Sequence, residues 1–437
     1  MTTTSYPATS AWQGVQSSAR EGVYEGSIWA VVTTWLALFM TLFVSVGGGI
    51  KLHYAPIAFA LTAMSGSSIK QLALKLAGLI VMLLLMATRS RGMLRVCLNA
   101  RLLLVLPILA FASVLWSQSP GQTLAQAPVL ALTTLFAIYL YVRYPGDQLV
   151  SIMAVAAAIS LLGCLVAVVF FPSVGIDSFQ QDAWRGIFSQ KNNCAVISVC
   201  FLVVGLHYRA RHLAGLVLRG TIILLALLFI VMSGSRTGWL TLAIAIGVTY
   251  GLRLIQRMPG RDRLLFLMVL SIPVVVVILL LSSNFDTFLA LIGKDPTMSQ
   301  RTIIWLTVLA PIAKHPLLGY GYSAFWQGLS GESANTILVT GWAENQAQSG
   351  YLDVMLQLGL LGLVPLVWML VRGLKQAARA INPLNTAPVQ MATVLLVVLI
   401  VVNVGETGFL VPMHLLWFYA LLTLLILNGS RKREEAA

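Results

Sequence analysis

The side chains best suited to chemistry in this chain are basic, and they stand at helix starts. Arg236 lies in Ser233-Gly-Ser-Arg-Thr-Gly238, between two apolar runs. Glycine and serine there can turn backbone N–H groups outward into an anion nest. The next helix is predicted to begin at about Thr237, so its positive dipole end faces the same way. Arg185, Lys191 and Asn192 fall in Trp184-Arg-Gly-Ile-Phe-Ser-Gln-Lys-Asn-Asn193, before another helix start. Arg301 sits in the first turn of a helix predicted over 299–310, with Ser299 as a cap. Pro311 is expected to end or kink that helix. Arginine presents a planar fork that binds phosphate oxygens bidentately. Cations and helix N-termini directed at one face call for a polyanion held at a membrane surface, such as a lipid phosphate or diphosphate.

Other chemistries lack their residues. The sequence contains no Walker A loop, His-Glu-x-x-His, Cys-x-x-Cys or Gly-x-Ser-x-Gly. No Asp-x-Asp pair is available to hold a divalent ion on a sugar nucleotide, so no metal and no cofactor are expected. Cys97, Cys164, Cys194 and Cys200 show no disulfide spacing and read as small buried residues. His315-Pro316 ahead of Gly319 and Gly321 reads either as a turn or as part of a site. Glu344 in Trp342-Ala-Glu-Asn-Gln-Ala-Gln348 reads as plain loop or as a base. Glu406, in Asn403-Val-Gly-Glu-Thr-Gly408, reads as a turn acid. Trp116-Ser-Gln-Ser-Pro120 reads as an interfacial tryptophan and a turn.

The elements that must position these groups are membrane helices. The chain has 437 residues, of which 58% are hydrophobic and 10% charged, with a mean hydropathy of +0.88; soluble domains are about a quarter charged. Apolar runs of helical length exclude a β-barrel. The expected fold is an all-α integral membrane protein of about 12 transmembrane helices. The spans are 28–48, 71–88, 101–116, 123–142, 149–171, 192–206, 217–232, 237–252, 264–282, 350–371, 389–404 and 407–427. The run 54–64 is too short to cross and reads as interfacial or re-entrant. One large loop, 283–349, separates spans 9 and 10. Residues 1–27 and 428–437 form tails, and the absence of a cleavable signal makes span 1 an uncleaved anchor.

The net charge is +14. Most basic residues crowd the short loops of one side when the N-terminus is placed inside, as the positive-inside rule requires. Topology thus explains the charge without a nucleic-acid partner. Both termini are then cytoplasmic, and the loop 283–349 faces outward. Arg185, Lys191, Arg236 and Arg301 are exceptions on the disfavoured side.

At these residues the chain resembles the O-antigen ligase/polymerase family, in particular its exopolysaccharide-polymerising members. Five motifs carry the resemblance: Trp116-Ser-x-x-Pro120; Arg185-Gly-Ile-Phe with Lys191-Asn192; Ser233-Gly-Ser-Arg-Thr-Gly238; Arg301 with Trp305 and His315-Pro-x-x-Gly-x-Gly321; and Gly350-Tyr-Leu-Asp353 with Gly359-Leu-Leu-Gly362. The resemblance covers roughly residues 100–430. It implies glycan transfer from an undecaprenyl-diphosphate carrier to a hydroxyl, without metal, at the periplasmic face of a bacterial inner membrane. Membrane lipids and other polysaccharide-export proteins are the further partners expected. Arg236 and Arg301 occupy the family's functional arginine positions, and Arg185, Lys191 and Asn192 would help seat carrier or sugar. The family's His-Asn before Gly-Tyr-Leu, whose histidine serves as base, is replaced here by Gln348-Ser349 ahead of Gly350 and Tyr351. An amide cannot accept the proton. Glu344 or His315 would then serve as base, or Gln348 would only orient the acceptor. A ligase moving glycan onto a lipid A core is the near alternative, and a flippase of lipid-linked sugars the alternative of another class.

Overall fold

The computed structural model describes residues 33–34, 36–38, 41, 80–144, 146–177, 182–257, 300–341, 345–379 and 386–434. The expected span 264–282, the run 54–64 and most of spans 28–48 and 71–88 lie outside the described residues, as do residues 283–299 and Glu344.

The fold is helical. The helices are α1 (Ser90–Asn99), α2 (Leu102–Ala112), α3 (Pro120–Arg143), α4 (Asp147–Phe170), α5 (Lys191–His207), α6 (Leu213–Met232), α7 (Arg236–Arg257), α8 (Gln300–Lys314), α9 (Ala334–Thr340), α10 (Gly350–Arg379), α11 (Ala387–Gly405) and α12 (Leu415–Glu434). A two-stranded antiparallel ribbon, β1 (Ile176–Asp177) and β2 (Ala183–Trp184), joins α4 to α5 with Ile176 opposite Trp184. Among the described residues six helices are long and apolar enough to cross a membrane: α3, α4, α6, α7, α10 and α11.

The bounds of three expected spans are corrected by backbone breaks that hydropathy cannot register. The expected span 101–116 is α2 plus one 3-10 turn to Leu115, bent 93° from α1; counted as one broken span, this pair makes a seventh. The expected span 192–206 coincides with the 17-residue α5, an apolar helix about 25 Å long. The expected span 407–427 begins only at Leu415, because residues 408–413 run as a largely buried loop with Leu410 and Met413 at positive φ. The expected span 350–371 is interrupted at Gly359, where φ is 58° and ψ −154°. Of the two expectations for Pro311, an end or a kink, the end is corrected: α8 runs through Pro311 to Lys314.

α5 and α11 form the middle of the bundle. Both are apolar around most of their circumference and largely buried, as expected of helices with no exposed face. α11 packs on α5, α7, α10 and α12, and α5 on α4, α6, α7 and α11. Phe136 of α3 stacks on Phe418 of α12, and Phe409 meets Trp417 edge-on. The outer surface is apolar instead: Leu216, Leu224, Leu240, Tyr250 and Trp368 are exposed, as lipid-facing positions are.

The break in α10 explains the glycine-rich motif of the large loop. In an apolar medium every backbone polar group freed by a break needs a partner. Residues 316–321 supply them. Tyr320 and Gly321 N–H groups donate to the Leu356 and Gln357 carbonyls at 2.8 and 3.0 Å, and Leu360 and Leu361 N–H groups donate to Pro316 and Leu317 at 2.9 and 3.1 Å. A Cβ on Gly359 would lie 2.4 Å from Leu317 backbone, and one on Gly319 would lie 2.6 Å from Gln357 backbone. The Trp116 motif holds the other side of this segment. Trp116 Nε1 donates to Leu318 O at 2.9 Å, Gln118 N to Tyr320 O at 3.0 Å, and Thr123 Oγ1 to Tyr322 O at 2.8 Å. The described part of the loop also has its own small core: Ile304, Val308, Tyr320, Phe325, Ala347 and Leu356.

Gly359→Ala is expected to cost roughly 2–4 kcal/mol, from a strained φ and a backbone collision together. Gly247→Ala, whose Cβ meets nothing within 4 Å, is the control. Thermal denaturation of detergent-purified protein should show a clear fall in midpoint for the first and none for the second.

Candidate functional site

Arg301 is held by a carboxylate from the far end of the sequence. Its Nη2 donates to Oε1 of Glu406 in an ion pair, and its Nη1 lies 3.5 Å from Thr237 Oγ1. Glu406 caps the C-terminus of α11 and its side chain is 1% exposed, while the Arg301 side chain is 25% exposed. Gly405 gives the guanidinium its room, since a Cβ there would sit 3.0 Å from Nη1. The cation also lies at the negative dipole end of α11. Burial pushes the Glu406 carboxyl above the usual carboxylate range; the charge and hydrogen bond of Arg301 pull against this, as do Asn192 and Thr237 nearby. Neither Asn192 nor Thr237 makes a hydrogen bond of ordinary geometry to the carboxylate, and Oε2 is left without a partner.

Two further helix starts stand beside this pair. The Ser233–Gly238 hairpin caps α7: Ser235 Oγ accepts the Gly238 N–H at 3.1 Å, and Ser233 Oγ accepts the Ser235 N–H at 3.2 Å. Gly234 makes the turn at φ 57°. Ser235 Oγ also donates to Asn192 Oδ1 at 2.8 Å, which ties the start of α7 to the start of α5. Gly238 permits this approach, because a Cβ would fall 2.5 Å from that of Ala195. Arg236 is exposed and Lys191 half-buried.

A third start, that of α10, is stitched to the same place by backbone. The Gly350 N–H donates to the Glu406 carbonyl at 3.1 Å, and a Cβ on Gly350 would collide with Asn403 Oδ1 at 2.2 Å. Ser349 is buried, its Oγ 3.4 Å from Asn403 O. Trp305, one turn along the same face of α8 as Arg301, donates its Nε1 to Ala347 O at 3.1 Å. Gln348 is thus fixed between the Arg301 face of α8 and the loop carrying Glu406, with its backbone at φ 50°.

Asp353 is the buried knot beneath. It is 1% exposed. Its oxygens accept from Trp326 Nε1 at 2.9 Å, from Ala347 N at 3.0 Å and from Thr407 Oγ1 at 2.5 Å. These bonds fix both the residue before Gln348 and the residue after Glu406. Asn403 Oδ1 completes the loop by accepting the Gly408 and Phe409 N–H groups at 2.9 and 2.8 Å.

The structure therefore brings together Arg301, Asn192, Gln348 and Ser349, with Arg236 and Lys191 on the adjoining helix starts. Other residues singled out in the sequence stand apart. His315 is at the opposite end of α8 from Arg301, about 21 Å along the helix axis, exposed and edge-on to Tyr320 at 4.7 Å. Arg185 donates Nε and Nη2 to the carbonyls of Val174 and Ser173 at 2.9 and 3.1 Å, bracing the β-ribbon. Tyr351 donates its hydroxyl to Ile400 O at 3.0 Å and packs on Phe409, facing α11. Glu406 and Asp353 are the residues that sequence reading underrated. Their signal was present: a carboxylate at the edge of an apolar span has few ways to be neutralised, and a basic residue on the disfavoured side is the natural partner.

Asp353→Ala would strand three donors at once. Each lost hydrogen bond to a charged acceptor is worth about 1.5–3 kcal/mol. A stability loss of at least about 3 kcal/mol is expected in thermal denaturation, and a smaller one for Asp353→Asn, which keeps one acceptor oxygen.

Residues 221–367 match the family model described as O-antigen ligase. The exopolysaccharide production protein ExoQ of Rhizobium meliloti (strain 1021) is 30% identical over 153 residues, 34% of this chain and 35% of that protein. The match thus spans about a third of the curated relative's length. The family-matched segment contains Arg236, Arg301, His315, Gln348, Ser349 and Tyr351; Glu406 falls beyond it. With its apolar helices the chain is a multi-pass membrane protein, and its residues 221–367 are similar to the O-antigen ligase family.

Proposed function

We propose that the protein is an inner-membrane glycosyltransferase that polymerises undecaprenyl-diphosphate-linked repeat units of an exopolysaccharide at the periplasmic face. The observation that carries this reading is the convergence of Arg301 with the N-termini of α5, α7 and α10. Arg301, Arg236 and Lys191 against one buried carboxylate leave an excess of positive charge, suited to a dianionic diphosphate. Diphosphate is the leaving group of glycosyl transfer, and preorganised charge aimed at it is often the largest catalytic term. Asn192, Ser349 and Gln348 line the same neighbourhood and would orient carrier and acceptor. The described helices support one sidedness. The starts of α5, α7 and α10 share an end with the finish of α11. The opposite end gathers Gln256 with Gln390 and Gln376 with Asn428. The positive-inside distribution of charge supports a reading with the site outside and both termini in the cytoplasm.

An O-antigen ligase, delivering glycan to lipid A core, would use the same machinery with another acceptor, and the family description favours keeping it. A flippase would need no chemistry at all. Purified protein in detergent, mixed with lipid-diphosphate-linked repeat units, separates these: a polymerase lengthens the glycan on its carrier, a ligase does so only onto a core acceptor, and a flippase does neither.

Arg301→Lys keeps the charge and loses the fork. It is expected to lower transfer about 10²–10³-fold while the protein still inserts in the membrane. Glycan of wild-type length and amount from this variant would remove Arg301 from the reaction. For topology, a cysteine at Ser330 should react with a membrane-impermeant thiol reagent in spheroplasts of a Cys97→Ser background, and one at His212 should not. The reverse pattern would invert the assignment.

A further inference from the structure

With Gln348 where a base is needed, the proton from the acceptor hydroxyl requires another home. His315 is about 21 Å from Arg301 along α8. Among the described residues, the carboxylate in contact with the site's arginine is Glu406. It is almost fully buried, one of its oxygens has no hydrogen-bond partner, and its own backbone carbonyl holds Gly350, two residues past Gln348. Nothing in the fold requires an acid at this position for packing, and a buried ion pair is weak as a stabilising device.

We propose that Glu406 is the proton acceptor of the transfer reaction, screened by Arg301 in the empty site and released when the carrier diphosphate takes Arg301 for itself. This rests on the reading of the protein as a lipid-linked glycan transferase. The acceptor hydroxyl oxygen forms a bond to the anomeric carbon of the donor glycan. The bond from that carbon to the diphosphate oxygen breaks, and its electron pair leaves with the lipid diphosphate. The hydroxyl proton passes to Oε2 of Glu406, and later to water.

The ion pair makes the order of events sensible. While Arg301 is on Glu406, the carboxylate is neutralised and a poor base. A diphosphate competes for the guanidinium with two charges and a matching bidentate geometry. As Arg301 turns to it, the carboxylate loses its counter-ion in a buried setting and its proton affinity rises. Base strength is then supplied only when the donor is in place. The charged groups on the elements around Glu406 are Arg301 of α8, Arg236 of α7, Lys191 of α5 and, across Thr407, Asp353 of α10. The acid limb of the rate profile is assigned to this carboxylate, and the Glu406→Gln profile tests the assignment.

The test uses the full chain in detergent with lipid-diphosphate-linked oligosaccharide from cells lacking the protein, followed across pH 4–9. Glu406→Gln is nearly isosteric and keeps a polar contact for Arg301. It is expected to lower kcat about 10²–10⁴-fold, leave KM for the carrier within about threefold, and abolish the acid limb. Glu406→Asp should recover part of kcat and retain the limb. Thermal midpoints of all variants report folding. Gln348→His in the Glu406→Gln background should restore turnover at least tenfold, because it puts an imidazole base beside the acceptor.

A raised KM with an unchanged pH profile in Glu406→Gln would make Glu406 only a support for Arg301 and overturn the proposal. So would loss of the acid limb in Glu344→Gln instead. In both cases transfer by the wild type, and its loss in Arg301→Lys, would leave the transferase reading standing. No transfer by the wild type would overturn both.

Discussion

The ion pair between Arg301 and Glu406 is the interaction on which the candidate site depends. Removing either partner of such a pair leaves a buried charge uncompensated, at a cost on the order of 3–5 kcal/mol. The pair joins the first turn of α8 to the residue that caps α11, 105 positions apart in sequence. Thr237 and Gly405 draw the start of α7 and the end of α11 against the same guanidinium. Three segments that hydropathy would treat as separate are thereby closed around one cation.

The same end of the bundle shows how irregular backbone survives among apolar helices. At Gly359 the helix breaks, and the His315–Gly321 segment repairs the break hydrogen bond for hydrogen bond. At 406–414 the chain remains unwound, and Asn403, Asp353, Tyr322 and Thr133 satisfy it: Tyr322 donates its hydroxyl to Leu410 O at 2.7 Å, and Thr133 accepts the Met413 N–H at 3.2 Å. Both repairs serve the site. The first fixes the half-helix beginning at Gly350, and the second holds Glu406 still. The glycines at 319, 321 and 359 are there because backbone approaches backbone too closely for a Cβ.

This division of labour changes the meaning of several motifs. In sequence the Trp116 motif reads as an interfacial tryptophan and a turn, and the Gly-x-Gly segment as a turn or part of a site. In the fold they are a clamp and a splint, bonded to each other across about 200 residues. Arg185 resembles a ligand-binding cation, yet its Nε and Nη2 donate to the carbonyls of Val174 and Ser173, just before the ribbon. Around the Arg301–Glu406 pair, Arg236 stands exposed at the surface and Oε2 of Glu406 is buried without a hydrogen-bond partner.

Sequence alone determined the class of the protein and the sign of its site. Apolar runs of helical length have one solution in a bilayer, because backbone groups must be satisfied within the segment. Arg236 and Arg301 were singled out because the expected topology puts them on the side that the positive-inside rule disfavours. The start of α7 was legible as well, since Ser-Gly-Ser-Arg has a local hydrogen-bonding logic that needs no distant partner. Tertiary structure decided the rest. Hydropathy averages over a window, so it passed smoothly across Gly359 and across 407–414, where single residues break the helix. Proline at 311 reads as a stop, but a helix held by a core on one side continues through it. Above all, whether a carboxylate is a turn residue or a buried counter-ion depends on what lies across from it. Glu406 found its cation 105 residues away, and only the packing of α8 on α10, whose first residue is bonded to the Glu406 carbonyl, put it there.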